Sequence, residues 1–263
     1  MQTDPAKLFI EAWRLMTGRL PSPVFEEADR LTCCFCDAPN MFFNLWIQNR
    51  PAGTLEEMRE LLGEGQVRAE RHHQPVGGIV RQDWLPEGWE SVPEEVGLAP
   101  LMPLISMEAE ELLAPRRPAA DLEIRRVEDD AGARDVAYLN AHAYEMPVET
   151  FERLATIGFW AEDWHGFVAY VDGEPMSCAA TMPAMGTVYV ALVATSEAAR
   201  GKGYAETVMR HAVAAGQKAM GIERTTLHAS LMGHPLYRAM GYSSDATLWL
   251  VGPPLEEEAA SSE

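Results

Sequence analysis

The chain has 263 residues, 47% hydrophobic and 23% charged, with 40 Asp and Glu against 21 Lys and Arg; that length suffices for two cores in a soluble protein. The formal net charge of −19 argues against nucleic acid, because phosphate backbones are held by Lys and Arg, and it fits an amine-bearing partner only weakly. No apolar run approaches the ~18 residues needed to cross a bilayer, and Met1-Gln-Thr-Asp-Pro lacks the basic-then-apolar pattern of a signal peptide, so the expected location is cytoplasmic, off the membrane.

In chain order, Phe9, Ile10, Trp13 and Met16 share one face of an opening helix that stops before Pro21 and Pro23. Leu31, Cys33 and Phe35 alternate as one buried face of a strand, in which free Cys acts as a small apolar residue. Cys33-x-x-Cys36 has the spacing of half a zinc site, but no second Cys pair or His-x₃₋₅-His follows, although His72 and His73 lie downstream. No metal is expected. Met41 to Gln48 reads as a buried strand, Thr54-x-x-Glu57 as the capping box of a helix reaching Arg71, Val76 to Gln82 as a strand, and Leu104 to Met107 as a short one. Ala114-Pro-Arg-Arg-Pro-Ala-Ala120 has linker composition, which sets the expected boundary between a first domain, 1–120, and a second, 121–253.

Beyond it, the pattern predicts a strand at Leu122–Val127, helices at Asp130–Ala143 and Val148–Ile157, and strands Gly166–Val171 and Pro175–Met182 around the hairpin turn Asp172-Gly173. A continuous apolar strand Thr187–Ala194 follows, then a helix Ala205–Met220, a strand Arg224–Ala229, a short helix His234–Met240 and a last strand Ala246–Val251. The glutamates of residues 254–263 read as a disordered acidic tail. The order implies a mixed α/β (α+β) sheet with helices against it.

The most informative stretch is Val193-Ala-Thr-Ser-Glu-Ala-Ala-Arg200-Gly-Lys-Gly-Tyr-Ala205. A buried strand enters a Gly-rich turn that opens directly into an amphipathic helix, where unpaired N–H groups and the positive dipole end attract an anion. Gly201 and Gly203 let the backbone approach that anion closely. A P-loop is excluded because Lys202 is followed by Gly203, and a dinucleotide fingerprint because position 206 is Glu.

Arg200-x-x-Gly203-x-Ala205 resembles the acyl-CoA-binding signature of the GNAT N-acetyltransferases, and Leu236-Tyr237-Arg-Ala-Met-Gly241-Tyr242 is similar to that family's Leu-Tyr-x-x-x-Gly-aromatic segment. The resemblance covers about half the chain. It implies a mostly antiparallel sheet with helices on both faces, and transfer of an acetyl group from acetyl-CoA as co-substrate to an amine of a small molecule or peptide. Carried over, it implies that the backbone around Val193, Ala194 and Thr195 holds the pantetheine arm and polarises the thioester carbonyl. Arg200, Gly201, Lys202, Gly203, Tyr204 and Ala205 would hold the pyrophosphate, with Lys202 equally readable as a solvated surface lysine. Tyr237 would protonate the departing thiolate. Many relatives carry a glutamate base on the strand before the turn, but Thr187–Ala194 contains no carboxylate. His142, Glu145, His228, Asp163 and water remain open as the base. A homodimer remains possible, and a CoA-binding regulatory module without turnover is the alternative function.

The first half echoes the second at an offset of about 150 residues: Arg50-Pro-Ala-Gly53-Thr-Leu55 is an imperfect copy of Arg200–Ala205, and Pro93 stands where Tyr237 would. Pro51 has no N–H for a phosphate. The expectation is a smaller, degenerate GNAT-like module that does not bind CoA.

Overall fold

A computed structural model describes residues 3–116 and 120–254; the acidic tail from 255 and part of the Pro-rich linker lie outside the described residues. Helix α1 (Pro5–Thr17), capped by Asp4, precedes strands β1 (Val24–Glu27), β2 (Leu31–Phe35) and β3 (Leu45–Gln48). Helix α2 (Leu55–Glu70), β4 (Gly77–Arg81), α3 (Val92–Glu95) and β5 (Ala99–Ala109) complete the first half. The second half runs β6 (Glu123–Arg126), α4 (Asp130–Ala143), β7 (His165–Val171), β8 (Glu174–Ala184) and β9 (Thr187–Thr195). It ends with α5 (Tyr204–Met220), β10 (Thr225–Ala229), α6 (His234–Met240) and β11 (Ser243–Gly252).

Among the described residues eleven strands form one sheet, in the order β1-β2-β3-β4-β11-β5-β10-β9-β8-β7-β6. The order shows a repeat. Antiparallel strands, three in the first half (β1 to β3) and four in the second (β6 to β9), lead into a helix and then a parallel strand, β3 to β4 through α2 and β9 to β10 through α5. Each half then gives its last strand to the other: β5 lies against β10, and β11 lies against β4, with β5 and β11 antiparallel at the centre. The Pro-rich linker thus joins a strand at the centre of the sheet to one at its edge, and both halves share backbone hydrogen bonds.

Helices α1 and α4 cover one face, where Leu8, Ala12, Val136, Leu139, Cys178 and Tyr189 share a core. Helices α2, α5 and α6 cover the other, through Met58 and Leu62 on one side and Val208, Met209 and Tyr237 on the other. Period-2 alternation sorts the cysteines as the strand pattern requires: Cys33 faces the α2 core and Cys34 the α1 core. All four cysteines are free and buried, and burial pushes each thiol up to about 12. They are inert as nucleophiles at neutral pH.

Three expected elements differ from the structure. Met41–Phe43 is a 3₁₀ turn rather than strand, because Asn40 caps the Phe42 amide and Asn44 donates to the carbonyls of Ala38 and Asn40. The helix expected at Val148–Ile157 is two 3₁₀ segments, Val148–Leu154 and Ile157–Phe159, in a stretch where the Thr150 hydroxyl bonds back to Pro147. Finally β5 is eleven residues long despite Pro100 and Pro103, because pairing on both sides outweighs local propensity.

The first half closes its own parallel pair tightly. Trp46 lies so close over Gly65 and Gly78 that a Cβ at these positions would sit 2.4 and 2.0 Å from indole atoms. Gly78→Ala is therefore expected to cost about 3 kcal/mol by overpacking, measurable as a lower urea midpoint at unchanged m-value; a loss under about 1 kcal/mol would mean that the indole can move aside.

Candidate active site

Strands β9 and β10 pair only at Val188 with Thr225 and Tyr189 with Thr226. Beyond these two pairs the strands part, so the β9 backbone from Val190 to Thr195 has no ladder to β10, and its polar groups on that side are open to an incoming partner. At the mouth of the opening β9 carries a bulge. The register against β8 slips by one residue between Ala180–Ala191 and Cys178–Ala194, leaving Leu192 and Val193 outside the regular pairing. Leu192 takes φ 51°, a left-handed conformation that costs a branched side chain about 1–2 kcal/mol.

From β9 the chain enters the turn. Gly201 and Gly203 adopt φ 75° and 82°, and nothing lies within 4 Å of where a Cβ would stand on either. Gly203 is the residue before α5, so the first amides of the helix, at Tyr204, Ala205 and Glu206, have no carbonyl a turn earlier to accept them. Arg200, Gly201 and Lys202 are exposed and Gly203 to Ala205 half-buried. The site is open, positive at the dipole end and free of side chains where an anion would approach.

Tyr237 sits on α6, which starts with Pro235 in its first turn and ends at Gly241 with φ 105°. The ring lies back over Gly233, whose absent Cβ would be 2.9 Å from Cε2. It is 8% exposed, and burial, with the Tyr144 and Tyr242 phenols adding, raises its pKa well above the ordinary 10. Tyr237 therefore keeps its proton at neutral pH. Tyr144, at the end of α4 against Phe42, is a phenol that the sequence pattern did not single out.

The candidate bases separate. His142 and Glu145 line one groove with Tyr138, Ser196, Glu197 and Arg200, about 670 Å³ in volume, between the end of α4 and the start of the turn. Asp163 is exposed before β7, near enough to His165 to bear on its titration. His228 is on the α1 face of β10: its Nδ1 is 2.9 Å from the Tyr189 hydroxyl, and Phe9 of α1 meets it edge-on at 4.9 Å. Burial pushes its pKa down to about 3, the Pro5 carbonyl opposing weakly. It is a neutral structural link between α1 and the sheet. Since the unfolded chain protonates His228 near 6.5 and the folded one only near 3, its contribution to stability is complete above pH 6.5 and is lost as pH falls toward 3. His228→Gln should flatten the loss of stability between pH 7.5 and 4.5, read as urea midpoints; parallel pH curves for the two proteins would show that His228 titrates normally.

The equivalent turn of the first half is built differently. The carboxylate of Glu57 accepts from the Gly53 amide at 2.7 Å, the Ala52 amide donates to Trp84, and Arg50 is paired with Asp29. The strands do not part after their pairs either, because the Gln48 side chain takes the Arg81 amide at 2.9 Å. A carboxylate already occupies the helix end, where a phosphate would bind.

Residues 162–244 match the family model described as acetyltransferase (GNAT) domain. The chain carries a GNAT acetyltransferase domain. The match takes in the parted strands, the turn and Tyr237, so the GNAT signature and the open geometry coincide. The whole fold is similar to that of a GCN5-related N-acetyltransferase from Kribbella flavida, with 20% identity over 98% of this chain and 99% of that one, TM-score 0.68. It is also similar to a functionally unknown conserved protein from Staphylococcus epidermidis (14% identity, 89% and 95% covered, TM-score 0.63). A third likeness is a GCN5-related N-acetyltransferase from Sphaerobacter thermophilus (16% identity, 94% and 91% covered, TM-score 0.56). At these identities the likeness is one of fold, and it spans both halves of the GNAT-containing chain. No curated protein matches the sequence. Among the described residues no group of three His, Cys, Asp or Glu gathers to hold a metal, and no helix is long and apolar enough to cross a membrane.

Proposed function

We propose that this protein transfers an acetyl group from acetyl-CoA to an amine of a small molecule or peptide by direct attack, in the cytoplasm. The observation that carries the reading is the coincidence, within one GNAT match, of parted parallel strands, an open anion-binding turn and a protonated buried phenol. The donor set fits the co-substrate: the amides from Gly201 to Ala205 and the Arg200 guanidinium suit a pyrophosphate, and the unpaired edge of β9 at Val193, Ala194 and Thr195 suits the amides of a pantetheine arm. Bound there, acetyl-CoA would supply the acyl thioester. The chain's own part is to align that thioester along β9, to polarise its carbonyl with an N–H at the bulge, and to hold a proton on Tyr237 Oη for the sulfur. Lys202, exposed beside Arg200, adds positive charge near the phosphates. His142 and Glu145, on the groove beside Arg200, are where an acceptor amine would lose its proton, directly or through water.

The first half, residues 1–120, is read as a degenerate GNAT-like unit and residues 121–253 as the catalytic one, on the repeated order of elements. Titration with acetyl-CoA is therefore expected to reach one equivalent per chain, and two equivalents would refute the assignment of the first half. The test of the function is a panel of amines, amino acids and peptides with acetyl-CoA, detecting free thiol. Acceptor-dependent thiol release supports turnover; tight CoA binding with no release across the panel favours a regulatory module instead.

A further inference from the structure

The bulge in β9 is a strained feature held without a regular ladder. Leu192 and Val193 have no partners in the β8 register, and a left-handed leucine persists only where its surroundings over-determine it. What surrounds it is a set of side-chain hydrogen bonds from β8. The Cys178 thiol donates to the Leu192 carbonyl at 3.2 Å, and Asn140 of α4 donates to that sulfur at 3.5 Å while also donating to the Val136 carbonyl at 2.9 Å. On the next residue, Ser177 donates to the Ala194 carbonyl at 2.9 Å and meets the Thr195 hydroxyl at 2.7 Å. Cys178, Ser177 and Asn140 are all at most 2% exposed, so no water competes for these bonds. The thiol keeps its hydrogen at neutral pH and remains a donor.

We propose that Cys178 is a positioning residue: its thiol, oriented by Asn140, fixes the β9 bulge, and through it the N–H that faces the reacting carbonyl. The proposal rests on the acetyl-CoA reading above. It explains why α4, which carries His142 on the groove and leads directly into Glu145, reaches under β9 through one buried amide. The brace couples the helix on the acceptor side to the strand on the co-substrate side, so the two reactants are registered against each other.

The test compares Cys178→Ala, Cys178→Ser and Asn140→Leu with the wild type in the full chain. In Cys178→Ala the Leu192 carbonyl loses its donor. The expected result is a drop in kcat of about tenfold, with acetyl-CoA affinity by calorimetry within about twofold, because the bond aims a donor used during the reaction rather than in binding. Cys178→Ser restores an O–H donor and is expected to recover kcat to within about threefold of the wild type. Asn140→Leu leaves the thiol unaimed and should fall between them. The backbone chemical shifts of residues 191–194 read the bulge directly: Leu192 is expected to leave its left-handed φ in the alanine variant and to regain it in the serine variant. A folded Cys178→Ala protein with wild-type kcat, or with Leu192 shifts unchanged, overturns the proposal, as does failure of serine to restore either. If the wild type itself releases no thiol with any acceptor, the acetyltransferase reading falls, and the shifts alone decide whether the brace holds the bulge.

Discussion

Tyr237→Phe is expected to lower kcat by about 10²–10⁴-fold, the usual cost of removing a general acid, with acetyl-CoA affinity almost unchanged. The ring is held by packing over Gly233 and against Tyr242, at 5.9 Å between centroids, and phenylalanine keeps both contacts. Only the hydroxyl is lost. Because burial holds the phenol well above its ordinary pKa, the wild-type acid stays protonated through the neutral range, and the kcat profile should show no loss from its titration below about pH 10. Steady-state kinetics with a good acceptor, together with calorimetry of CoA, separates the roles. A kcat within about threefold of the wild type would mean that water or the acceptor supplies the proton. Equal losses in affinity and kcat would instead identify Tyr237 as part of the pantetheine wall, since uniform binding and stabilisation confined to the reaction leave different kinetic signatures.

Gly203→Glu is expected to reduce acetyl-CoA affinity by more than about 100-fold. Two effects combine. A carboxylate placed before α5 would occupy the N–H groups that an anion needs, and would repel the pyrophosphate. The left-handed φ of 82° also disfavours any Cβ, although open space surrounds it. Gly203→Ala separates the two contributions, since it carries the backbone strain, about 1 kcal/mol, without the charge. It should lower the melting temperature slightly and leave most of the affinity. The first half offers an internal precedent, because Glu57 already places a carboxylate on the Gly53 amide at the corresponding helix. Calorimetry showing wild-type affinity in a folded Gly203→Glu protein would remove the turn from the binding site.

Much of the second half was legible because its signals are local. Asp172-Gly173 predicts its hairpin, and both residues have positive φ, as a type I′ turn demands. The helix of α5 is written in its apolar spacing and in Gly221, which ends it at φ 66°. Helix α6 ends in the same way, at Gly241 with φ 105°, and the Gly-rich turn could be read as an anion site because its chemistry lies in consecutive amides. The α2 capping box was equally visible in Thr54 and Glu57, but the sequence did not reveal that this carboxylate fills the place of a phosphate.

What only the tertiary structure decided involves residues far apart in the chain. Nothing near Ala99–Ala109 signals that β5 will run for eleven residues between two strands of the other half; long-range backbone pairing on both edges fixes its length. The parting of β9 from β10 depends on where two strands separated by α5 stop sharing hydrogen bonds, and the bulge at Leu192 depends on β8 and α4 side chains that neither turn chemistry nor periodicity brings together. His228 and Glu145 look alike as candidate bases in a linear reading. Packing distinguishes them: α1, more than two hundred residues upstream, sets Phe9 against the imidazole, and desolvation drives its pKa down to about 3, while Glu145 stays on the open groove. Local composition determines which backbone can turn, cap or cradle an anion, because those properties belong to single residues and their neighbours. Desolvation and register belong to pairs of distant segments, and they exist only once the sheet is assembled.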